Sequence, residues 1–347
     1  MIHHERIKPN HQVYPPDEWN MIEKRFNPHF LGQTETIFAL GNGFLGMRGC
    51  SEEGGPADQE GTFVNGFYDS WPIVYGEEAY GFARKGQTMA NATDTKIIKL
   101  YVDDEPFWLP NANLLNYDRR LNMKAGMLER EVLWETPSGK QVLIKSKRLV
   151  SFRHRHLSAI SYEVTVQNAE APIVISSEMT ATHQSTTKDN GDPRQAKMFK
   201  DRVLHPHRHY VQDCRVVLSH ATKNSKMTLT CGIDHTLETD CSYTYKSNCS
   251  EDFGQVVFSI EGQPGCAIHL TKLMVYHTTH TASHEEMCQR VERTLDRAVS
   301  QSFYALQSGQ QQYLDEFWRR SDVEVSGLNP ERAKRSNVEI QQAIRFN

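Results

Sequence analysis

From about residue 95 to residue 280 the chain alternates apolar and polar side chains with a period of two, and no other feature of the sequence limits its fold as strongly. In SAISYEVTVQN, Ile160, Tyr162, Val164 and Val166 alternate with Ser161, Glu163, Thr165 and Gln167. Successive side chains of a strand point to opposite faces, so such a stretch buries one face and leaves the other polar. QVLIKSKRLV, APIVISSEM, CRVVLSH, KMTLTCGI, GQVVFSI and AIHLTKLMVY repeat the pattern, parted by turn formers such as Pro137-Ser138-Gly139 and Gly262-Gln263-Pro264-Gly265. Many strands at this spacing predict a mainly β sandwich or barrel, and the lack of interleaved helical periods argues against βαβ units.

A different motif stands in FALGNGFLGMRG, residues 38–49, in which Gly41 to Gly46 spell G-x-G-x-x-G. The fingerprint binds a dinucleotide only between a strand and a helix whose N-terminus receives the pyrophosphate. Here Gly49, Gly54, Gly55 and Pro56 follow within ten residues of Gly46. Each Gly costs a helix interior about 1 kcal/mol and each Pro about 3. The segment is therefore expected to be short strands joined by turns, its glycines serving backbone geometry, and Asp69 adds nothing to the fingerprint.

The bulk numbers narrow the function classes. A content of 38% hydrophobic residues in 347 supports a core but no membrane span. Thirty-nine Lys and Arg against 43 Asp and Glu give a net charge of −4 without a basic block, which argues against nucleic acid as a partner. The N-terminus lacks the apolar region of an export signal, and seven irregularly spaced cysteines fit reduced thiols, so a cytoplasmic location is expected. Cys231, Cys241 and Cys249 lack the paired spacing of a zinc site. His205, His207 and His209 alternate in HPHRH and on a regular strand would share a face, but no motif around them supports a metal, and none is expected.

Helical periods begin at residue 283. Ser283 and Glu286 form a capping box ahead of Met287, Val291, Leu295, Val299 and Phe303, which recur at spacing four. A second helix is expected through QQQYLDEFWRR, where Tyr313 with Phe317 and Leu314 with Trp318 are i,i+4 neighbours. A third follows Pro330, with Ser336 and Glu339 as its capping box and Val338, Ile340, Ala343 and Ile344 as its apolar stripe. The sequence ends at QQAIRFN inside that apolar period, which reads as a fragment whose helices, with Phe317, Trp318 and Ile344, lack their cover.

FALGNGFLGMRG, GTFVNGFYDSWPIVYGEEAYGF, KIIKLYVDDEPF, RLVSFRHRHLSAISYEV and QQAIRFN together resemble the N-terminal portion of glycoside hydrolase family 65, over nearly the whole chain and in the same order. That family holds maltose, kojibiose and trehalose phosphorylases and some hydrolases. The resemblance implies a galactose-mutarotase-like super-sandwich of two large antiparallel sheets over residues 1–280, a helical linker over 281–325, and the truncated start of an (α/α)6 catalytic barrel over 326–347. It also implies inverting chemistry, in which one carboxylic acid protonates the glycosidic oxygen while inorganic phosphate, a co-substrate, attacks from the opposite face. An inverting hydrolase instead separates two carboxyl groups by about 6.5 to 9.5 Å to admit a water. The family's general acid and phosphate ligands lie in the barrel, so no catalytic residue is assigned here.

The acidic pairs Glu52-Glu53, Glu77-Glu78 and Asp103-Asp104 read as solvated charge. The stretch most suggestive of function is residues 65–88, where Phe67, Tyr68, Trp71, Tyr75, Tyr80 and Phe82 stand among glycines and charges. Aromatic rings with a polar edge suit sugar rings or a domain interface. Trp71, Tyr75 and Tyr80, with Glu77 as polar partner, are therefore the candidates for substrate contact or docking onto the chain's own barrel. The expected function is the non-catalytic N-terminal domain of an α-glucosidic disaccharide phosphorylase, inactive alone. Carbohydrate binding or homodimerisation, and the same domain in a hydrolase such as a trehalase, are the alternatives.

Overall fold

The computed structural model describes residues 10–59, 61–77, 79–181, 202–327 and 336–346. Among them the strands form three antiparallel sheets. The largest has nine, in the order Asn20–Glu23, Asn113–Asn122, Met127–Glu135, Gln141–Val150, Leu157–Val166, Ile268–Thr279, Thr228–Glu238, Arg215–Thr222 and Leu204–Gln212. A five-stranded sheet runs Tyr243–Cys249, Phe253–Gly262, Ala171–Thr180, Ile98–Val102 and Glu105–Pro106. A four-stranded sheet runs Leu40–Gly41, Leu45–Met47, Thr62–Pro72 and Lys85–Asn91.

Register converts the alternation into one core. Val142 lies opposite Val166 and Ile144 opposite Val164, and Tyr162 faces Leu270 on the other side. These inward side chains meet Leu100, Ile173, Ile175 and Phe258 of the five-stranded sheet and Leu45, Val64 and Phe67 of the four-stranded one. The layer facing the nine-stranded sheet is thus made of two sheets side by side. Each fully buried aliphatic or aromatic side chain contributes about 1.5 to 3 kcal/mol.

The opposite face of the large sheet is covered too. Leu149, Leu157, Ala159, Val217, Leu273 and Val275 pack against Cys288, Val291, Leu295, Phe303 and Leu306. The helices that bring these residues are α2, His284–Val299, and α3, Phe303–Ser321; a short α1, Leu31–Ile37, lies between strands Asn20–Glu23 and Leu40–Gly41. Residues 157–160 are accordingly buried on both sides, and the alternation of exposure begins only beyond Ile160. Ser283 caps α2 through the Glu286 amide as expected, but the spacing-four row continues past the helix end. Ser302 caps a new helix at that point, so Phe303 belongs to α3 while Val299 is half out of the core.

A last helix, α4 (Asn337–Phe346), starts at the reciprocal pair Ser336–Glu339, in which each backbone amide donates to the other's side chain. Its buried residues are polar. Arg345 forks onto Asp322 at 2.8 Å and lies 3.6 Å over the Trp19 ring, while Gln341 bonds to both Val323 and Val325. The apolar Ile344 stays exposed, as does Phe317 on α3, whereas Trp318 is partly buried and donates to the Met123 carbonyl.

One expectation is overturned. Glu52 and Glu53 are not solvated: they sit inside the sandwich, on a loop held between the sheets. Adjacent carboxylates there reach the same cation, with Arg130 forking onto Glu53 at 2.8 and 2.6 Å and lying 3.2 Å from Glu52. Arg148 donates to Glu52 at 2.5 Å and to the Cys50 carbonyl at 2.9 Å, and Arg119 donates to the Gly49 carbonyl. The loop's interior carbonyls need donors, and these arginines of the large sheet supply them. Burial pushes the Glu52 carboxyl up, but Arg148, Arg130 and Arg119 outweigh it and hold the group well below the usual carboxylate range. Asp103 and Asp104 do behave as surface turn residues, both at positive φ; Glu78 lies outside the described residues.

Three histidines are kept neutral by the fold. His235 Nδ1 lies 2.8 Å from the Cys214 carbonyl, which can only accept, so that nitrogen carries the proton and Nε2 accepts from Ser177. Burial, with Lys272 adding its charge, holds His235 down at about 3. Burial likewise lowers His220 to about 4 and His277 to about 3. Between those values and 6.5 the unfolded chain binds protons that the folded chain does not. Their contribution is therefore complete above about pH 6.5 and is lost as the pH falls through the folded values.

Two outcomes follow from the interior charges. Arg130→Met leaves two buried carboxylates short of a cation and is expected to cost about 3 to 5 kcal/mol in urea unfolding. Adding Glu53→Met should recover part of that loss; a double variant weaker than the single would contradict the pairing. The urea midpoint should also drop between about pH 7 and pH 5, and less steeply in His235→Gln. Equal slopes for the two proteins would remove His235 from this account.

Candidate functional site

The residues singled out in 65–88 share a hairpin. Its strands, Thr62–Pro72 and Lys85–Asn91, pair with Trp71 opposite Gly86, after a bulge between Phe63 and Tyr68. A Cβ on Gly86 would stand 2.3 Å from Trp71 Cε2, so the indole lies against bare backbone that only glycine leaves open. Trp71 is 8% exposed and Phe67 is in the core. Both are packing residues of the arm. Tyr75 is half-buried, its ring 4.8 Å from that of Phe82. Tyr80 and Glu77 project from the tip, and Val74, Phe82 and Met89 add exposed apolar surface. The structure thus joins Tyr75 to Phe82, places Tyr80 and Glu77 outward, and withdraws Trp71.

The arm is anchored at its base by Asp69, which the sequence offers only as an empty match to the fingerprint. Buried in the hairpin, its carboxylate accepts from the amides of Asn224 and Ser225 at 3.1 and 2.8 Å. Ser225 Oγ donates to the Tyr68 carbonyl and Asn224 Nδ2 to the Ser70 carbonyl. The strand is stitched to the turn between two strands of the large sheet. Its partners lie about 155 positions away in sequence, which no local pattern reveals.

The G-x-G-x-x-G segment forms the expected short strands, Leu40–Gly41 and Leu45–Met47. Gly43 sits in the turn at φ +84°, and Asn42 Oδ1 accepts from the Phe44 and Leu45 amides. No helix follows, and no phosphate cradle is formed. HPHRH departs from a regular strand: Pro206 pairs with His220 and Arg208 with Ser219, so His207 occupies a bulge and the alternation breaks. His207 stacks on His284 at 3.9 Å instead. Among the described residues no three His, Cys, Asp or Glu side chains gather as metal ligands.

Acid–base candidates fare no better. Glu285 and Glu292 line a cavity of ≈ 490 Å³ beside His209, with Tyr210 donating to Glu292 at 2.7 Å. Seven residues apart on α2, they share one helix face, and Glu292 is already engaged by the Tyr210 hydroxyl. Glu23 is buried, and desolvation keeps its pKa raised despite Arg119 and the Tyr117 hydroxyl. The cavity bordered by Tyr117 and Arg119 measures ≈ 10 Å³, too little for a sugar. No helix among the described residues is long and apolar enough to cross a membrane.

Comparison with known proteins agrees with this architecture. Residues 21–317 match the family model described as glycosyl hydrolase family 65, N-terminal domain. The α,α-trehalose phosphorylase of Thermoanaerobacter brockii is 35% identical over 339 residues, which cover 96% of this chain and 42% of that protein. An uncharacterized glycosyl hydrolase of Mycobacterium tuberculosis is 32% identical over 334 residues, 96% of this chain and 41% of that one. A solved structure of a putative kojibiose phosphorylase from the human microbiome superposes with a TM-score of 0.82 at 17% identity, covering 96% of this chain and 41% of that one, so the two share a fold. This chain spans about two-fifths of the length of such relatives. Three-sheet architecture, strand order along the sequence and the residues matched all lead to one assignment: the chain belongs to glycosyl hydrolase family 65 through its N-terminal domain.

Proposed function

We propose that this chain is the non-catalytic N-terminal part of an inverting α-glucosidic disaccharide phosphorylase, one that converts a disaccharide and inorganic phosphate to glucose 1-phosphate and a free sugar. The observation carrying the non-catalytic reading is the state of the interior carboxylates. Glu35, Glu52, Glu53, Asp94 and Glu178 are each within ion-pair distance of an arginine or lysine, and Glu23, though raised by burial, accepts from the Tyr117 hydroxyl and lies 3.8 Å from Arg119, so each of these interior carboxylates is already partnered. A phosphorylase needs one such acid and an anion as nucleophile, and that acid is then contributed by a catalytic barrel outside this chain. Similarity to a trehalose phosphorylase over 96% of the chain supports the reaction class.

The arm is the part of the domain suited to reach that barrel. Tyr80, Tyr75 and Glu77 supply contact to a facing surface or sugar, and Trp71 over Gly86 keeps the two strands together. A second reading, an assembly module, is favoured by the exposed apolar group Val74, Tyr80, Phe82 and Met89 on the same arm. Titration with glucose, maltose, trehalose and kojibiose, combined with light scattering, separates ligand binding from dimerisation.

A protein carrying this domain and its barrel is expected to release glucose 1-phosphate from a disaccharide only when phosphate is present. Release of glucose without phosphate consumption would replace the phosphorylase by a hydrolase, and turnover by the 347-residue chain alone would overturn the non-catalytic assignment. In the same protein Tyr80→Ala should raise the disaccharide KM several-fold, at about 1 kcal/mol for a lost aromatic contact, with Tm unchanged. Trp71→Ala should instead speed amide exchange along 62–91 as the hairpin opens. Identical kinetics in Tyr80→Ala would take the tip out of the functional account.

A further inference from the structure

Under the turn of the G-x-G-x-x-G segment lies a cavity of ≈ 420 Å³ with a charge unlike that of the rest of the molecule. The loop 151–156, SFRHRH, lends it Arg153, Arg155 and His156; α2 lends Arg297 and Thr294; and His277 enters from strand Ile268–Thr279. No Asp or Glu side chain lines it, and among the described residues no ion pair engages any of the three arginines. A chain of net charge −4 does not place cations together by composition alone. All three arginines are exposed, whereas the buried or half-buried Arg130, Arg148 and Arg215 meet carboxylates.

The loop is also held in place. Asn42 Nδ2 donates to the carbonyls of Ser151 and Arg155 at 2.7 and 3.1 Å, and Ser151 Oγ accepts from the His154 amide. On the other side Gln310 of α3 accepts from the Phe152 amide, the Phe152 ring stacks on Tyr313 at 5.1 Å, and Arg153 reaches Gln312 at 3.1 Å. Arg155 lies 4.9 Å over the Phe44 ring, which meets His156 edge-on at 4.5 Å. The His156 and His277 rings stack at 4.0 Å, and His277 Nε2 is 3.0 Å from Thr294 Oγ1. Burial lowers both His156 and His277, with nearby positive charge adding to it, so the pair stays neutral and the guanidinium groups carry the field. Positive groups fixed together without an anion repel one another, and binding an anion relieves that cost without first ordering the loop.

Guanidinium forks match the oxygens of a phosphate better than a single carboxylate. The volume exceeds what an inorganic phosphate fills and falls within the range of about 300 to 1,000 Å³ usual for small-molecule sites. Leu157 and Ala298 contribute apolar surface, and Ser300 and Gln301 a polar lip. We propose that this cavity binds a phosphomonoester of a small polyhydroxylated molecule, of sugar-phosphate size, with Arg153, Arg155 and Arg297 on the phosphate and the polar lip on the hydroxyl groups.

Isothermal titration of the protein with glucose 6-phosphate, glucose 1-phosphate, inorganic phosphate, glucose and an oligoglutamate peptide tests this. At least one sugar phosphate should bind saturably, with inorganic phosphate about ten-fold weaker and glucose silent. Arg297→Gln, an exposed change that leaves the fold intact by circular dichroism, should weaken the ester about ten-fold, and Arg293→Gln on the solvent side of α2 should not. Absence of saturable binding up to about 10 mM ester overturns the site. So does equal affinity in Arg297→Gln. Inorganic phosphate binding as tightly as both esters overturns the assignment to an organic phosphate, and tighter binding of oligoglutamate overturns it in favour of an acidic polypeptide.

Discussion

The sandwich depends on how it solves one problem, a stretch of irregular backbone running through its interior. Residues 49–56 pass between the sheets, where a strand ladder cannot satisfy their carbonyls. Arg148, Arg119 and Arg130, from three strands of the large sheet, meet those carbonyls and the carboxylates of Glu52 and Glu53 together. Each guanidinium brings several fixed donors, so a few residues satisfy many acceptors at once. Such a network adds little net stability over a well-packed apolar core, but losing one member strands a charge in low dielectric.

A second polar node repeats the arrangement further along. Lys272, fully buried, donates to the carbonyls of Ile97 and Glu178 at 2.9 and 2.8 Å, linking the nine-stranded sheet to the five-stranded one. Burial pushes its amine down to about 7 even with Asp94 and Glu178 nearby. Lys96 holds Thr62 and Asp94 in the same region. Apolar packing brings the layers together, and these polar nodes fix their lateral register, since a slide of one residue would leave a cation facing the wrong atoms.

Much of this fold was legible because strands buried on one face betray themselves by alternation, and capping residues mark helix starts. Residues 157–160 escaped the rule since helices cover their outer face. Where the reading failed, the deciding partner was far away or the backbone irregular. Glu52 and Glu53 look like solvent-facing acids until Arg130 and Arg148 arrive from strands 77 and 96 positions distant. His205, His207 and His209 keep the spacing of a shared face, but the bulge at His207 reassigns their directions. Trp71 and Tyr80 are both aromatic with a polar edge; Gly86 across the ladder decides which one is packed away. The basic loop RHRH lies in one of the segments that resemble the family, and only in space do Arg297 and His277 close a cavity around its charge.

The stitching of Asp69 to residues 224 and 225 has a mechanical side. A two-stranded ribbon on its own bends easily, but this one is clamped where it leaves the sheet, by five hydrogen bonds that combine its backbone and a buried carboxylate. Compliance is thereby confined to the residues beyond Trp71, while the base moves only if the turn at 223–226 moves with it. The hairpin is a lever with its fulcrum on the large sheet. A load on the Tyr80 tip is delivered to the turn bearing Lys223 and Lys226, and so to the two inner strands that it joins, rather than being absorbed in the loop.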